Sequence, residues 1–174
     1  MMRSLIPLLV AGLSLTAGSL SGRRAPSFAL PDVQQKYHDI LDYRGSVLLI
    51  DVMQTGCPHC IKLSATLEQL KAKYGAKIQI VSIVVPPDNL STVADFIAKS
   101  RVSSTILFDC GQVVAAYLQV TPARPSVSFP HLFFIDAQGM IRDDVGGEAA
   151  SNLSVAALGA MVDQTMAPAA PAKK

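Results

Sequence analysis

The sequence predicts an α/β domain with a mixed central sheet, helices on both of its faces and an N-terminal β-hairpin extension. Two observations carry this. First, short runs of apolar and β-branched residues alternate with segments whose apolar residues recur every three to four positions. Strands separated by helices imply right-handed crossovers and parallel pairing, with both faces of the sheet covered. Second, two late strand-like runs are joined by Ala137-Gln138-Gly139, a hairpin that makes the sheet mixed. Hydrophobic residues at 50% against 16% charged leave ample material for a core. A length of 174 residues suggests one domain plus tails. The divisions expected are a signal peptide or anchor over 1–22, the folded domain over 23–166, and a disordered Pro/Ala/Lys tail over 167–174.

The elements follow in order. Arg3 precedes Ser4 to Gly22, which carry no charge, and small residues stand at Ala17, Gly18 and Ser19. That is the pattern of a secretory signal. The alternative, an uncleaved anchor giving membrane attachment through residues 4–22, is opposed by Pro7, the glycines of the stretch and the Arg23-Arg24 pair on the far side. Ser27 to Leu30 and Tyr37 to Leu41 read as the two extended arms of the N-terminal hairpin. Val47 to Met53 is a buried strand. Leu63, Leu67, Leu70 and Tyr74 form one apolar face of a helix that ends at Gly75. Lys77 to Val85 is a central strand, broken by Pro86-Pro87. Asn89 or Ser91 can cap a helix running to about Ser100. Thr105 to Phe108 reads as a strand, Gln112 to Leu118 as a short helix, and Thr121 to Pro130 as an irregular loop with three prolines. His131 to Asp136 and Met140 to Val145 form the late hairpin, with Gly146-Gly147 as its end. Ser151 or Ser154 caps a last helix to about Met166.

The chemistry concentrates at Gly56-Cys57-Pro58-His59-Cys60, where the first long strand hands over to its helix. Two cysteines at this spacing can cycle between dithiol and a Cys57–Cys60 disulfide. With three cysteines in the chain, one, Cys110, is left over. This count suits a redox motif rather than a stapling framework, and export places it where disulfides persist. No second C-x-x-C or H-x-x-x-H completes a zinc site, so neither metal nor cofactor is expected. A net charge of +2 with no basic block speaks against nucleic acid, and partner choice must come from the site.

Arg24-Ala25-Pro26-Ser27-Phe28-Ala29-Leu30-Pro31-Asp32, Tyr43-Arg44-Gly45, the Cys57 to Cys60 motif, the run from Phe108 to Tyr117 and the run from Pro130 to Gly139 together resemble the thioredoxin superfamily. Within it the pattern is similar to the extracytoplasmic redoxins of the AhpC/TSA and TlpA type, over about residues 24 to 165. The resemblance implies a thioredoxin-like fold and a thiol–disulfide oxidoreductase acting on exported protein or peptide thiols, served by a redox partner protein. Cys57 is then the nucleophile, its thiolate favoured by a helix N-terminus to a pKa well below the free value of about 8.5. Cys60 resolves the mixed disulfide.

Pro58 and His59 tune the potential, since an imidazole donating to the Cys57 thiolate stabilises the reduced form and makes the couple more oxidising. Pro-His is also the dipeptide of the disulfide-forming oxidase DsbA, a likeness limited to the motif. Asp51, six residues before Cys57, matches a buried carboxylate that exchanges a proton with the second cysteine; its alternative is a strand-end Asp facing solvent. Pro130 matches a cis-proline facing the active site, and Phe129 before it offers backbone to a substrate strand. His131 reads equally as a site residue or as a strand residue near the surface.

Three positions depart from the pattern. Gly56 replaces a Trp, Leu63 and Ala65 replace Glu and Pro, and Cys110 is an extra thiol, read as incidental ahead of a regulatory or partner-bonding role. Two other functions remain open. A thiol peroxidase would want a Thr three residues before the cysteine and an activating Arg; Thr55 stands two before, and no Arg is evident. A copper carrier would use Cys57, Cys60 and a histidine, soft ligands that suit Cu(I). The redoxin framework points to a reductase and Pro-His to an oxidant.

Overall fold

The computed structural model describes residues 20–123 and 125–168. Most of the proposed signal or anchor therefore lies outside the described residues, as does most of the C-terminal tail. Among the described residues no helix is long and apolar enough to cross a membrane. Leu20, Ser21 and Gly22, at the end of the proposed export segment, pack on the domain. Leu20 is buried, Ser21 Oγ donates to Arg142 O at 2.7 Å, and Gly22 N donates to Ile141 O at 2.8 Å.

A two-stranded antiparallel hairpin, β1 (Ala29–Pro31) and β2 (Tyr37–Asp39), precedes the main sheet, as expected. Its second arm is shorter than the apolar pattern suggests, because Ile40–Tyr43 form a 3-10 turn. Asp39 caps that turn, accepting from Leu41 N at 2.8 Å, while Asp42 accepts from Asp39 N at 2.9 Å.

The main sheet holds β3 (Val47–Met53), β4 (Ile78–Val84), β5 (Thr105–Phe108), β6 (His131–Ile135) and β7 (Ile141–Gly146), in the spatial order β5-β4-β3-β6-β7. The first three are parallel, and β6 and β7 are antiparallel, so the sheet is mixed. The helices are α1 (Pro58–Tyr74), α2 (Leu90–Ser100), α3 (Gln112–Tyr117), α4 (Gly147–Ser151) and α5 (Val155–Met166). Asn89 caps α2, accepting from Ser91 N and Thr92 N, and Ser154 caps α5.

Strand alternation sorts the core into two sides. Val47 and Leu49 pack with Leu63, Leu67 and Leu70 of α1 and Leu158 and Val162 of α5. Leu48, Ile50 and Val52 face the other way, onto Phe28, Leu30 and Ile40 near the hairpin and Val113 and Tyr117 of α3. A third cluster joins Met53, Val84 and Ile106 to Cys60 and to Val93 and Phe96 of α2. The helix α4 is absent from the sequence reading, which took Gly146-Gly147 as a simple terminator. Gly147, at φ +63°, instead turns the chain back, with its N–H on Pro130 O at 2.7 Å.

His131 belongs to this framework. Its Nε2 lies 2.8 Å from Asp144 Oδ2 on β7, and its ring stacks on Phe133 with centroids 4.6 Å apart. Gly146 closes the other side: a Cβ there would stand 2.6 Å from His131 Nδ1. Gly146→Ala is therefore expected to destabilise the fold by about 1–3 kcal/mol through overpacking. Gly56 has open space around it, so Gly56→Ala is expected to stay within about 0.5 kcal/mol of the parent. Urea denaturation of the two variants checks both.

Candidate active site

The site forms where β3 ends. The turn from Gln54 to Gly56 leads into Cys57, whose extended backbone (φ −82°, ψ 119°) makes it the N-cap of α1. Pro58 takes the first helical position, where its missing N–H costs nothing. Cys57 Sγ accepts from Cys60 N at 3.4 Å, the bond by which a cap satisfies an orphan helix donor. Cys57 is half-buried and Cys60, one turn on, is fully buried. The thiol of Cys57 also points at Phe129 O, 3.9 Å away, and the Phe129–Pro130 bond is cis, as the sequence suggests. Thus Cys57, Cys60, Phe129 and Pro130 are brought together. A second cis bond, Pro86–Pro87, stands in the loop after β4, where the sequence reading had only a strand break.

Asp51 is completely buried, which settles its orientation. It lies on the same strand face as Val47, Leu49 and Met53, the face covered by α1, and pairs in register with Ser82 and Leu132. Neither carboxylate oxygen has a hydrogen-bond partner among the described residues. Burial pushes the acid up from its ordinary 3.8 to about 8. Cys60 is driven above the usual thiol range, first by burial, then by its bond with Cys57 and by the nearby Asp51 and Cys57 charges. A thiol that resists ionisation therefore lies close to an acid that resists it too.

The turn before Cys57 is clamped by a residue the sequence reading missed. Asp88, in the loop after β4, accepts from Thr55 N at 2.7 Å, from Thr92 Oγ1 at 2.9 Å and from the Thr55 hydroxyl. Gln54 Nε2 adds a bond to Pro86 O at 3.0 Å. The visible signal was only that Asp88 stands beside the capping Asn89. Beyond Gly56 the surface opens into a cleft of about 490 Å³ between α1 and α2, lined by Ile61, Ala65 and Phe96 among others.

His59, read as able to donate to Cys57, has its Nδ1 3.0 Å from Ser151 Oγ at the end of α4. His131 is held by Asp144, as described above. Cys110 is exposed beside Gln112, whose Nε2 is 3.6 Å from its sulfur. Among the described residues, no three His, Cys, Asp or Glu side chains converge where they could hold a metal ion.

The AhpC/TSA family model matches residues 21–144. The chain belongs to the AhpC/TSA family. The thiol-disulfide oxidoreductase ResA of Bacillus thuringiensis (strain Al Hakam) is 24% identical over 128 residues, 73% of this chain and 70% of the relative. The thiol:disulfide interchange protein DsbE of Vibrio cholerae is 31% identical over 125 residues, 71% of this chain and 63% of the relative. A crystal structure from Chlorobium tepidum, assigned as a thiol:disulfide interchange protein DsbE, superposes with a TM-score of 0.67 at 26% identity, covering 83% of this chain and 96% of that one. The fold of this AhpC/TSA member is thus thioredoxin-like, and the protein is a thiol–disulfide oxidoreductase.

The buried acid has a measurable signature. Below about pH 4, Asp51 is protonated in both folded and unfolded chains and adds no pH dependence. Between about pH 4 and 8 the unfolded chain releases the proton and the folded one keeps it, so stability falls as pH rises. Above about 8 both are ionised and the loss is complete. Asp51→Asn is expected to gain stability over the parent across this window, by up to about 1.4 kcal/mol per pH unit. Urea titrations of both proteins at several pH values test this; a difference that stays flat from pH 4 to 8 would show that Asp51 is not a buried acid.

Proposed function

We propose that Cys57 and Cys60 are the redox pair, and that the protein exchanges disulfides with exported protein or peptide thiols. The observation that carries this is the asymmetry of the pair. Cys57 sits half-exposed at a helix N-cap, while Cys60 is sealed beneath it against Asp51. In the reducing direction the Cys57 thiolate attacks one sulfur of a substrate disulfide, forming a mixed disulfide and releasing the other sulfur as a thiolate. Cys60 then gives up its proton and attacks Cys57 Sγ. The Cys57–Cys60 disulfide forms and the substrate leaves as a dithiol. Asp51 takes the Cys60 proton in this direction and returns it in the other, a role suited to an acid pushed up to about 8. Phe129 O, beside Cys57, offers an acceptor to the substrate backbone, and the cleft beyond Gly56 gives room for the flanking chain.

The uncharged stretch of 4–22 and its basic flank support export, with the signal or anchor over 1–22 leading the folded domain and the tail of 167–174 closing the chain. A redox partner protein resets the pair. The peroxidase reading is weaker, because the Thr55 hydroxyl is given to Asp88 rather than left to serve Cys57.

Incubation with an oxidised cysteine peptide tests the assignment. In a Cys110→Ser background, which removes the exposed third thiol, Cys60→Ser is expected to accumulate a mixed disulfide on Cys57, and Cys57→Ser to form none. A mixed disulfide on Cys60 would overturn it, whereas Cu(I) retained by Cys60→Ser without exchange would favour a carrier. A redox titration then assigns direction: a potential near −270 mV, on the order of thioredoxin's, marks a reductase, and one near −120 mV, on the order of DsbA's, an oxidant.

A further inference from the structure

The histidine of the motif is committed to a partner that the sequence does not reveal. Ser151 is almost wholly buried, and its hydroxyl makes two contacts: Glu148 O at 2.9 Å and His59 Nδ1 at 3.0 Å. A serine hydroxyl has one hydrogen. A carbonyl oxygen can only accept, so both contacts are hydrogen bonds together only when that hydrogen goes to Glu148 O, which also accepts from Asn152 N at 3.1 Å. In that arrangement the Ser151 oxygen accepts from His59, and Nδ1 carries the proton. A neutral imidazole has a single N–H. While Ser151 holds it, neutral His59 has no hydrogen left to donate to the Cys57 thiolate.

We propose that Ser151 is a positioning residue that takes up the N–H of His59 and so holds the Cys57–Cys60 couple at a less oxidising potential than its Pro-His dipeptide would otherwise confer. This rests on the reading of Cys57 and Cys60 as the redox pair. The hold is built into the fold. Gly147 N on Pro130 O at 2.7 Å fixes the start of α4, and Lys62 Nζ on Asn152 Oδ1 at 2.7 Å ties the end of α4 to α1. Removing the serine hydroxyl frees the ring to turn its N–H toward Cys57. A hydrogen bond to the thiolate stabilises the reduced form and raises the potential.

Two measurements on the full chain test it. Long-range ¹H–¹⁵N spectra of the reduced protein, at a pH where His59 is neutral, report which nitrogen bears hydrogen. The Nδ1–H form is expected in the parent and its loss in Ser151→Ala. Equilibration with glutathione is expected to show Ser151→Ala more oxidising by about tenfold in the equilibrium constant, about 30 mV. The same substitution in a His59→Ala background is expected to leave the potential unchanged, which separates an effect through His59 from a general loosening of α4. An Nε2–H form in the parent overturns the proposal. So does an unchanged or lowered potential in Ser151→Ala, or an equal shift in the His59→Ala background. A parent that shows Nδ1–H but never equilibrates Cys57–Cys60 with glutathione overturns the redox-pair assignment, and with it the effect of Ser151 on potential.

Discussion

The structure depends on the burial of β3 along its whole length. All seven residues from Val47 to Met53 are buried, with β4 hydrogen-bonded on one side and β6 on the other. Helix α1 covers one face, while α3 and the N-terminal segments lie over the other. A strand in this position cannot slip by one residue without sending a whole apolar set to the wrong face. Fixing its register fixes where it ends, and hence where Cys57 begins α1. The same register commits Asp51 to the α1 face. Its carboxyl is buried because its neighbours' packing leaves no other place for it.

That constraint links stability to chemistry. An unpaired carboxyl in an apolar layer is a cost the fold bears as a raised proton affinity. The same burial raises the thiol of Cys60, so in the proposed exchange the second cysteine needs a proton acceptor, and the acid lies close by. The first cysteine is treated differently. It is held at the helix N-cap by Cys60 N, and the turn before it is clamped to Asp88. The clamp spans the turn after β3 and the loop after β4, so the position of Cys57 is set by two parallel strands rather than one. With that support the site keeps an open rim at Gly56.

Much of this was legible in the chain. The strands and helices of the main sheet fall within a residue or two of where the pattern puts them, because the helices show one apolar face and the central strands are short, nearly continuous apolar runs bounded by breakers. The burial of Asp51 and the cis bond before Pro130 follow from spacing and family resemblance together. What escaped were features made by contacts distant in sequence. Helix α4 is too short to show a period, and two glycines masked it. Asp88 acts on Thr55 across the sheet, and Ser151 acts on His59 from the far end of the chain. Ser151 was visible as a capping candidate, but Ser154 takes that role, leaving the Ser151 hydroxyl to meet α1.

The motif therefore has to be read with its surroundings. Cys-Pro-His-Cys names the groups present and says nothing about where the imidazole points. A histidine tunes a thiolate only if it has a hydrogen to give in that direction, and His59 Nδ1 meets a buried hydroxyl that also lies 2.9 Å from Glu148 O. The likeness to DsbA is limited to the motif, and the element that meets the ring here is α4, built on the turn that Gly147 makes after β7. Two proteins with the same four residues can thus stand at different potentials, according to what the rest of the fold does with one N–H.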